Sequence, residues 1–140
     1  MMGPGTSPGV RPDVTYVLIA LNIVAFIYLL FLGGLDRDIF FYKYGLIASE
    51  LTSGESIETL NVLTSRGVVP VDVSSPIPAW GTVFTSMFVH VGVLHILANM
   101  LFLFGFGGYV EHKLGHVRYL IFYLAVGVAA AWTQVATDLD

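Results

Sequence analysis

No cysteine occurs among the 140 residues, so the chain can build neither a disulfide framework nor a thiolate metal site or nucleophile. Charge is nearly as scarce: 11% of residues are charged against 56% apolar, and the formal net charge of -4 comes with no basic run. Without a basic patch there is no electrostatic footprint for nucleic acid. A chain this poor in charge and this rich in apolar side chains falls outside the range of soluble globular proteins, and its solvent is lipid. Internal repeats and low-complexity tracts are absent as well.

Three long apolar runs are present. Val14 to Leu32 is interrupted only by mild polar residues such as Thr15, Asn22 and Tyr28, and its length of about 19 residues suffices to cross a hydrocarbon core of roughly 30 Å. A cleaved signal peptide is the competing reading. Against it, Arg11 is the one basic residue before the run, and Gly33-Gly34-Leu35-Asp36 offers no small-x-small cleavage site. Val91 to Val110 and Val117 to Val135 are of similar length, separated by the hydrophilic turn Glu111 to His116, and read as a helical hairpin in the membrane. The predicted fold class is therefore all-α, a polytopic membrane helical bundle with about three transmembrane helices. Its expected divisions are a tail over 1–13, a membrane domain over 14–137 and a short end over 138–140.

Arg11, Lys113 and Arg118 flank these runs, and the positive-inside rule puts the tail and the turn in the cytoplasm of a multi-pass plasma-membrane protein. In the long first connection, Leu35 to Gly81, Arg37, Lys43 and Arg66 are diluted by Asp36, Asp38, Glu50, Glu55, Glu58 and Asp72, which suits the outer side. A connection of this length usually has structure or function of its own. Its cluster Ile39-Phe40-Phe41-Tyr42 and Trp80 suggest an amphipathic insertion resting at the membrane interface; a mobile surface loop is the alternative.

Within the segment Trp80 to Met100 lie polar residues that a bilayer disfavours unless they find partners. On a helix, His95 and Asn99 stand about 40° apart and one turn displaced, so both project from one face. His90 falls roughly 140° away from His95 by the same geometry, which suggests a place at the helix entry and a different, structural hydrogen-bonding role. Two readings fit the shared face. Converging N–H donors can stabilise the oxyanion of a tetrahedral intermediate, where one donor contributes about 3 kcal/mol; or the two side chains can simply bond to neighbouring helices at about 0.6 kcal/mol each. Ser86 and His90, four apart, could form a nucleophile and base, although a helix-start hydroxyl is the plainer role for Ser86. His112 and His116 have metal-ligand spacing but read as a solvated cap beside Lys113. Gln134 could line an aqueous cavity or bond a neighbouring helix. Gly127-x3-Ala131 and Ala125-x3-Ala129, with Gly105, Gly107 and Gly108, are small-residue faces that need partner helices.

The combination His90-x4-His95-x3-Asn99-Met100, led in by Trp80 and Phe84-Thr85-Ser86-Met87-Phe88, resembles the rhomboid intramembrane serine proteases. Val110-Glu111, Leu114-Gly115, Arg118-Tyr119, Phe122-Tyr123-Leu124 and the Tyr42-x-Tyr44-Gly45-Leu46-Ile47 opening of the long loop extend the resemblance to roughly 40–137. It implies that His95 and Asn99 bind the oxyanion, that His90 braces the site, and that Trp80, Glu111, Gly115 and Arg118 are structural, with Glu111 holding the bundle together. It also implies transmembrane protein substrates, and neither cofactor nor metal. Two departures stand out. Gly81 follows Trp80 where the family often has arginine, and the family's Gly-x-Ser-Gly nucleophile and its histidine base have no counterpart before Asp140. The 140 residues alone are thus expected to be inert, with the carboxyl-terminal helices of the same fold supplying the rest. A rhomboid-like pseudoprotease that binds transmembrane helices without cutting them is the alternative. A haem or quinone carrier is disfavoured, because the histidines do not form facing pairs on two spans.

Overall fold

The computed structural model describes residues 10–138. Residues 1–9 of the expected tail and 139–140 of the expected end lie outside the described residues. Helix α1 covers Asp13–Phe31, begins after Pro12 and stops before the Gly33-Gly34 pair. It is apolar all round, which suits a helix with lipid on most sides. α2 (Gly34–Tyr44), α3 (Ala48–Ser53) and α4 (Ala79–Thr85) follow, with a two-stranded antiparallel hairpin, β1 (Thr59–Thr64) and β2 (Gly67–Asp72), between α3 and α4. α5 (Val93–Phe102) runs through a π-helical turn at Leu103–Gly107 into α6 (Gly108–Leu114), and α7 (His116–Asp138) completes the order. Asp13–Phe31, the continuous Val93–Leu114 and His116–Thr137 are long and apolar enough to cross a membrane, with mean hydropathies of 2.4, 1.7 and 1.6. The three-span helical architecture is what the apolar runs predict.

Two local features depart from the sequence reading. The hydrophilic turn expected over Glu111 to His116 contracts to a single residue: α6 continues to Leu114, Gly115 adopts φ +77, and α7 starts at His116. That φ lies in the left-handed region that L side chains avoid, so glycine is what permits so abrupt a reversal. The second departure is the hairpin. Leu60 faces Val71 and Val62 faces Val69 on one side, with Leu63 facing Val68 on the other, and β-branched residues suit these pleated positions. The rest of the long connection is also folded rather than loose. Ser75 Oγ donates to the Lys43 carbonyl (2.6 Å), Thr85 Oγ1 donates to the Tyr44 carbonyl (2.7 Å), and Lys43 pairs with Asp72 at 3.7 Å.

Packing is concentrated where the spans meet. α1 touches the Val93–Leu114 helix and α7, and α4 rests on α7. Glu111, fully buried and helical instead of solvated, is the centre of this contact. Its carboxylate accepts the backbone N–H groups of Val14 (2.9 Å) and Thr15 (2.8 Å), the Thr15 hydroxyl (2.7 Å) and His116 Nδ1–H (2.6 Å). The first-turn N–H groups of a helix lack intrahelical partners and carry partial positive charge. A carboxylate from a neighbouring helix therefore satisfies α1 and is itself stabilised. Close approach here needs a missing side chain: a Cβ at Gly107 would lie 2.7 Å from the Tyr119 hydroxyl and 2.9 Å from Thr15 Cγ2. Of the small-residue faces on α7, Gly127 and Ala131 are engaged, Gly127 against Met87, whereas Ala125 and Ala129 are exposed.

Replacing Glu111 by glutamine turns an amide N–H2 toward donors that need an acceptor, and stability in detergent is expected to fall by about 3 kcal/mol. Gly107→Ala should cost about 1–3 kcal/mol through overpacking. Gly127→Ala should cost less, because the Met87 thioether it meets is flexible. Thermal unfolding of the three variants checks this order.

Candidate active site

Gly92 is extended (φ -154) and α5 begins at Val93, so His90 precedes the helix that carries His95 and Asn99. A helical-wheel angle between His90 and His95 has no meaning across such a break, and the chain brings the two rings together. Their centroids lie 5.0 Å apart in an edge-to-face arrangement. His90 is buried, and its Nε2 accepts from Asn99 Nδ2 at 3.0 Å. Its Nδ1–H points at the Phe88 carbonyl 3.4 Å away, which fixes the neutral tautomer with the proton on Nδ1. Burial lowers the His90 pKa below its ordinary value, the Phe88 carbonyl opposes that shift, and the neighbouring His95 adds to it.

His95 and Asn99 line one cavity of about 670 Å³ together with His90. Both are exposed along the stripe that the one-turn spacing predicts. Asn99 has two N–H bonds on its amide nitrogen, and His90 takes one of them. The other, with an imidazole N–H of His95, remains to meet an acceptor in the cavity. Such an arrangement can present two donors to a developing oxyanion while a third group holds one of them in orientation.

The remaining candidates separate from this cluster. Ser86 also lines the cavity, but its hydroxyl donates to the Val83 carbonyl (3.0 Å), and both ring nitrogens of His90 are directed elsewhere. A Ser86–His90 nucleophile and base is therefore not assembled. His116 Nδ1 is engaged by Glu111, and His112 is exposed on α6. Among the described residues no group of three or more His, Asp or Glu side chains could hold a metal ion. Trp80, two-thirds exposed at the start of α4, and the exposed Arg118 form no hydrogen bond or ion pair among the described residues. Gln134 is exposed near the far end of α7, on the cavity rim. Among the cavity-lining residues that the sequence reading did not single out are Asn22 and Tyr119, both buried. An asparagine inside an apolar run was the available signal for the first.

A helical bundle with three membrane-crossing helices and a polar stripe at one end of the second defines a polytopic helical membrane protein. Residues 78–140 match the family model described as Rhomboid domain. The rhomboid protease GluP of Bacillus subtilis (strain 168) is 29% identical over 121 residues, which is 86% of this chain and 19% of that protein. The chain thus spans about one fifth of the length of that curated relative. No solved structure matches it. On these matches the chain is similar to rhomboid proteins, with residues 78–140 resembling the Rhomboid domain.

Protonation of His90 would turn Nε2 into a donor facing the Asn99 amide N–H2. Because the folded pKa is depressed below 6.5, the unfolded chain takes up this proton first, so the stability tied to neutral His90 is fully present above about pH 6.5 and is lost as pH falls through the lower folded value. The thermal midpoint should hold steady above that pH and decline below it, and His90→Asn should flatten the decline. A native profile with no decline would contradict the assigned tautomer.

Proposed function

We propose that this chain supplies the oxyanion-binding part of a rhomboid-type intramembrane serine endopeptidase, which hydrolyses peptide bonds in or near the transmembrane segments of protein substrates. The observation that carries the reading is the pairing of His95 and Asn99 on one face of α5, open to a single cavity within an apolar span, with Asn99 held by His90. As the scissile carbonyl becomes tetrahedral, its oxygen gains charge. In this reading the second Asn99 N–H and a His95 N–H receive it. The residues contain no Gly-x-Ser-Gly element; on this reading the serine and its histidine base are contributed by further helices of the same fold. The cavity between α1, α5 and α7 is the space that such a helix would fill.

The amino terminus is assigned to the cytoplasm and the 35–81 segment to the outer surface of the plasma membrane, a reading supported by Arg11, Lys113 and Arg118. The exposed apolar residues of the hairpin, Leu63 and Val68, suit an interfacial position there. Glu111 acts as the structural clamp, and Gly115 sets the reversal that brings His116 to it.

The test is cleavage of a transmembrane reporter by the full-length gene product in liposomes. His95→Ala and Asn99→Ala should each lower kcat by about 100-fold or more, with KM little changed. His90→Ala should give a comparable loss, accompanied by reduced stability. Unaltered rates in the His95 and Asn99 variants would remove the oxyanion role. If the gene product cuts no reporter and fails to react with a fluorophosphonate, yet retains transmembrane helices, the helix-binding pseudoprotease becomes the correct assignment.

A further inference from the structure

Away from the cavity, the hairpin of β1 and β2 has two edges of unequal character. In an antiparallel ladder alternate pairs exchange the bonds, and the residues between them direct their N–H and C=O groups outward. The Val73 N–H donates to the Glu58 carbonyl at 2.9 Å, one step beyond the Thr59–Asp72 pair. The bonded pairs are therefore Glu58–Val73, Leu60–Val71, Val62–Val69 and Thr64–Gly67. Pro70 fits this phase, since its nitrogen carries no hydrogen and its place opposite Asn61 asks for none. The outward groups belong to Thr59, Asn61 and Leu63 on β1, and to Val68, Pro70 and Asp72 on β2.

The β2 edge is blunted. Pro70 removes its central donor, and the Asp72 side chain is tied to Lys43. The β1 edge has no proline, lysine or bulge to protect it. Thr59, Asn61 and Leu63 are exposed, and their backbone groups make no hydrogen bond among the described residues. This edge is complementary to itself. When two β1 strands pair antiparallel with Asn61 opposite Asn61, Thr59 falls opposite Leu63 in both directions, and every outward N–H finds a carbonyl. Any other register leaves at least one outward residue unmatched within the strand. The central carboxamides then adjoin each other, and each carries both donors and an acceptor. The same register sets Glu58 opposite Thr64, so that Arg66 at the tip of one hairpin comes beside Glu58 at the base of the other. Both residues are exposed, and neither forms an ion pair among the described residues.

We propose that the β1 edge is an interface between two copies of this chain, which pair through Thr59–Thr64 into a four-stranded antiparallel sheet centred on Asn61. Pro70 on both outer strands stops further addition, so the assembly closes as a pair instead of growing along the sheet. An antiparallel pair has its two-fold axis perpendicular to the sheet, and two copies in one bilayer are related by an axis along the membrane normal. The shared sheet therefore lies flat at the interface. A strand edge buries little surface, so the pairing is reversible and relies on both copies standing at one height in a membrane. It stands on the hairpin alone and is independent of the protease reading.

The test uses the full-length gene product in liposomes, with energy transfer between labelled copies read over a range of protein-to-lipid ratios. The native protein should associate as dimers. Asn61→Pro gives β1 the device that β2 already has and spares the bonds between the two strands, so it should reduce energy transfer to the level of random proximity. Arg66→Glu should weaken association, and adding Glu58→Arg should restore it. Oxidation of the Asn61→Cys variant should link two copies through a disulfide, whereas Val68→Cys on the blunted edge should not. A monomer at every ratio, energy transfer unchanged by Asn61→Pro, or equal cross-linking at both cysteine positions overturns the proposal. Should Asn61→Pro fail to fold, the comparison of the two cysteine variants decides. A monomeric protein in which Asn61→Pro slows cleavage of a transmembrane reporter would show that the edge pairs with substrate, which overturns the dimer as well.

Discussion

The carboxylate of Glu111 is the point on which the arrangement of the three spans depends. A charged group with no exposure is tolerated in an apolar interior only if every lone pair finds a donor. Here the donors come from two other helices: two backbone N–H groups and a hydroxyl from the first turn of α1, and the ring of His116 from the first turn of α7. The contact is a helix cap contributed in trans, with the partial positive end of α1 opposing the negative charge. Neighbouring features follow from it. Pro12 precedes the helix at a position where an N–H would lack an intrahelical partner in any case. Gly115 allows a reversal short enough to return His116 to the same carboxylate. Gly107 and Gly108 let the helix carrying Glu111 approach Thr15, Tyr119 and Pro12 closely enough for the bonds to form.

From Glu111 the continuous Val93–Leu114 helix extends back to His95, about 24 Å away at a rise of 1.5 Å per residue. The two ends of that helix have opposite characters. At the Glu111 end polar atoms are paired and buried. At the His95 end the side chains of His95 and Asn99 are exposed to a cavity, and only His90 is tucked in. A rigid rod fixed at one end keeps the position of the other without filling it. The π-helical turn at Leu103–Gly107 lies between them, where the helix passes α1. An extra residue in that turn changes which face the upper half presents relative to the lower.

How much of this could be read from residues alone varied with the range of the interaction. The spans are set by local apolarity, and the runs Val14–Leu32, Val91–Val110 and Val117–Val135 lie within a few residues of the observed helices. The shared face of His95 and Asn99 is local as well, fixed by helical period. The His90–Asn99 bond was out of reach because Gly92 breaks the helix and the return of His90 is tertiary. Glu111 looked like part of a solvated turn for a related reason: its partners lie nearly a hundred positions earlier in the chain, and only the family resemblance hinted at a bundle-holding role. The hairpin had a local signal in Val62, Leu63, Val68, Val69 and Val71 around Ser65-Arg66. Pro70 within the second run and the Thr/Ser/Gly stretch before the first masked it.

Polar groups in a bilayer fall into those whose partners are already present and those still waiting for one, and their distribution in this fold is uneven. Glu111 is saturated. His90 has both ring nitrogens directed at partners, while Asn99 has given up one N–H of two. Asn22 Oδ1 and the Tyr119 hydroxyl have no partner among the described residues. Both residues line the cavity that His90, His95 and Asn99 share. Random polar substitution would leave orphaned atoms anywhere, at a cost that lipid does nothing to relieve. Internal donors and acceptors are thus matched around Glu111 and less completely matched around the cavity.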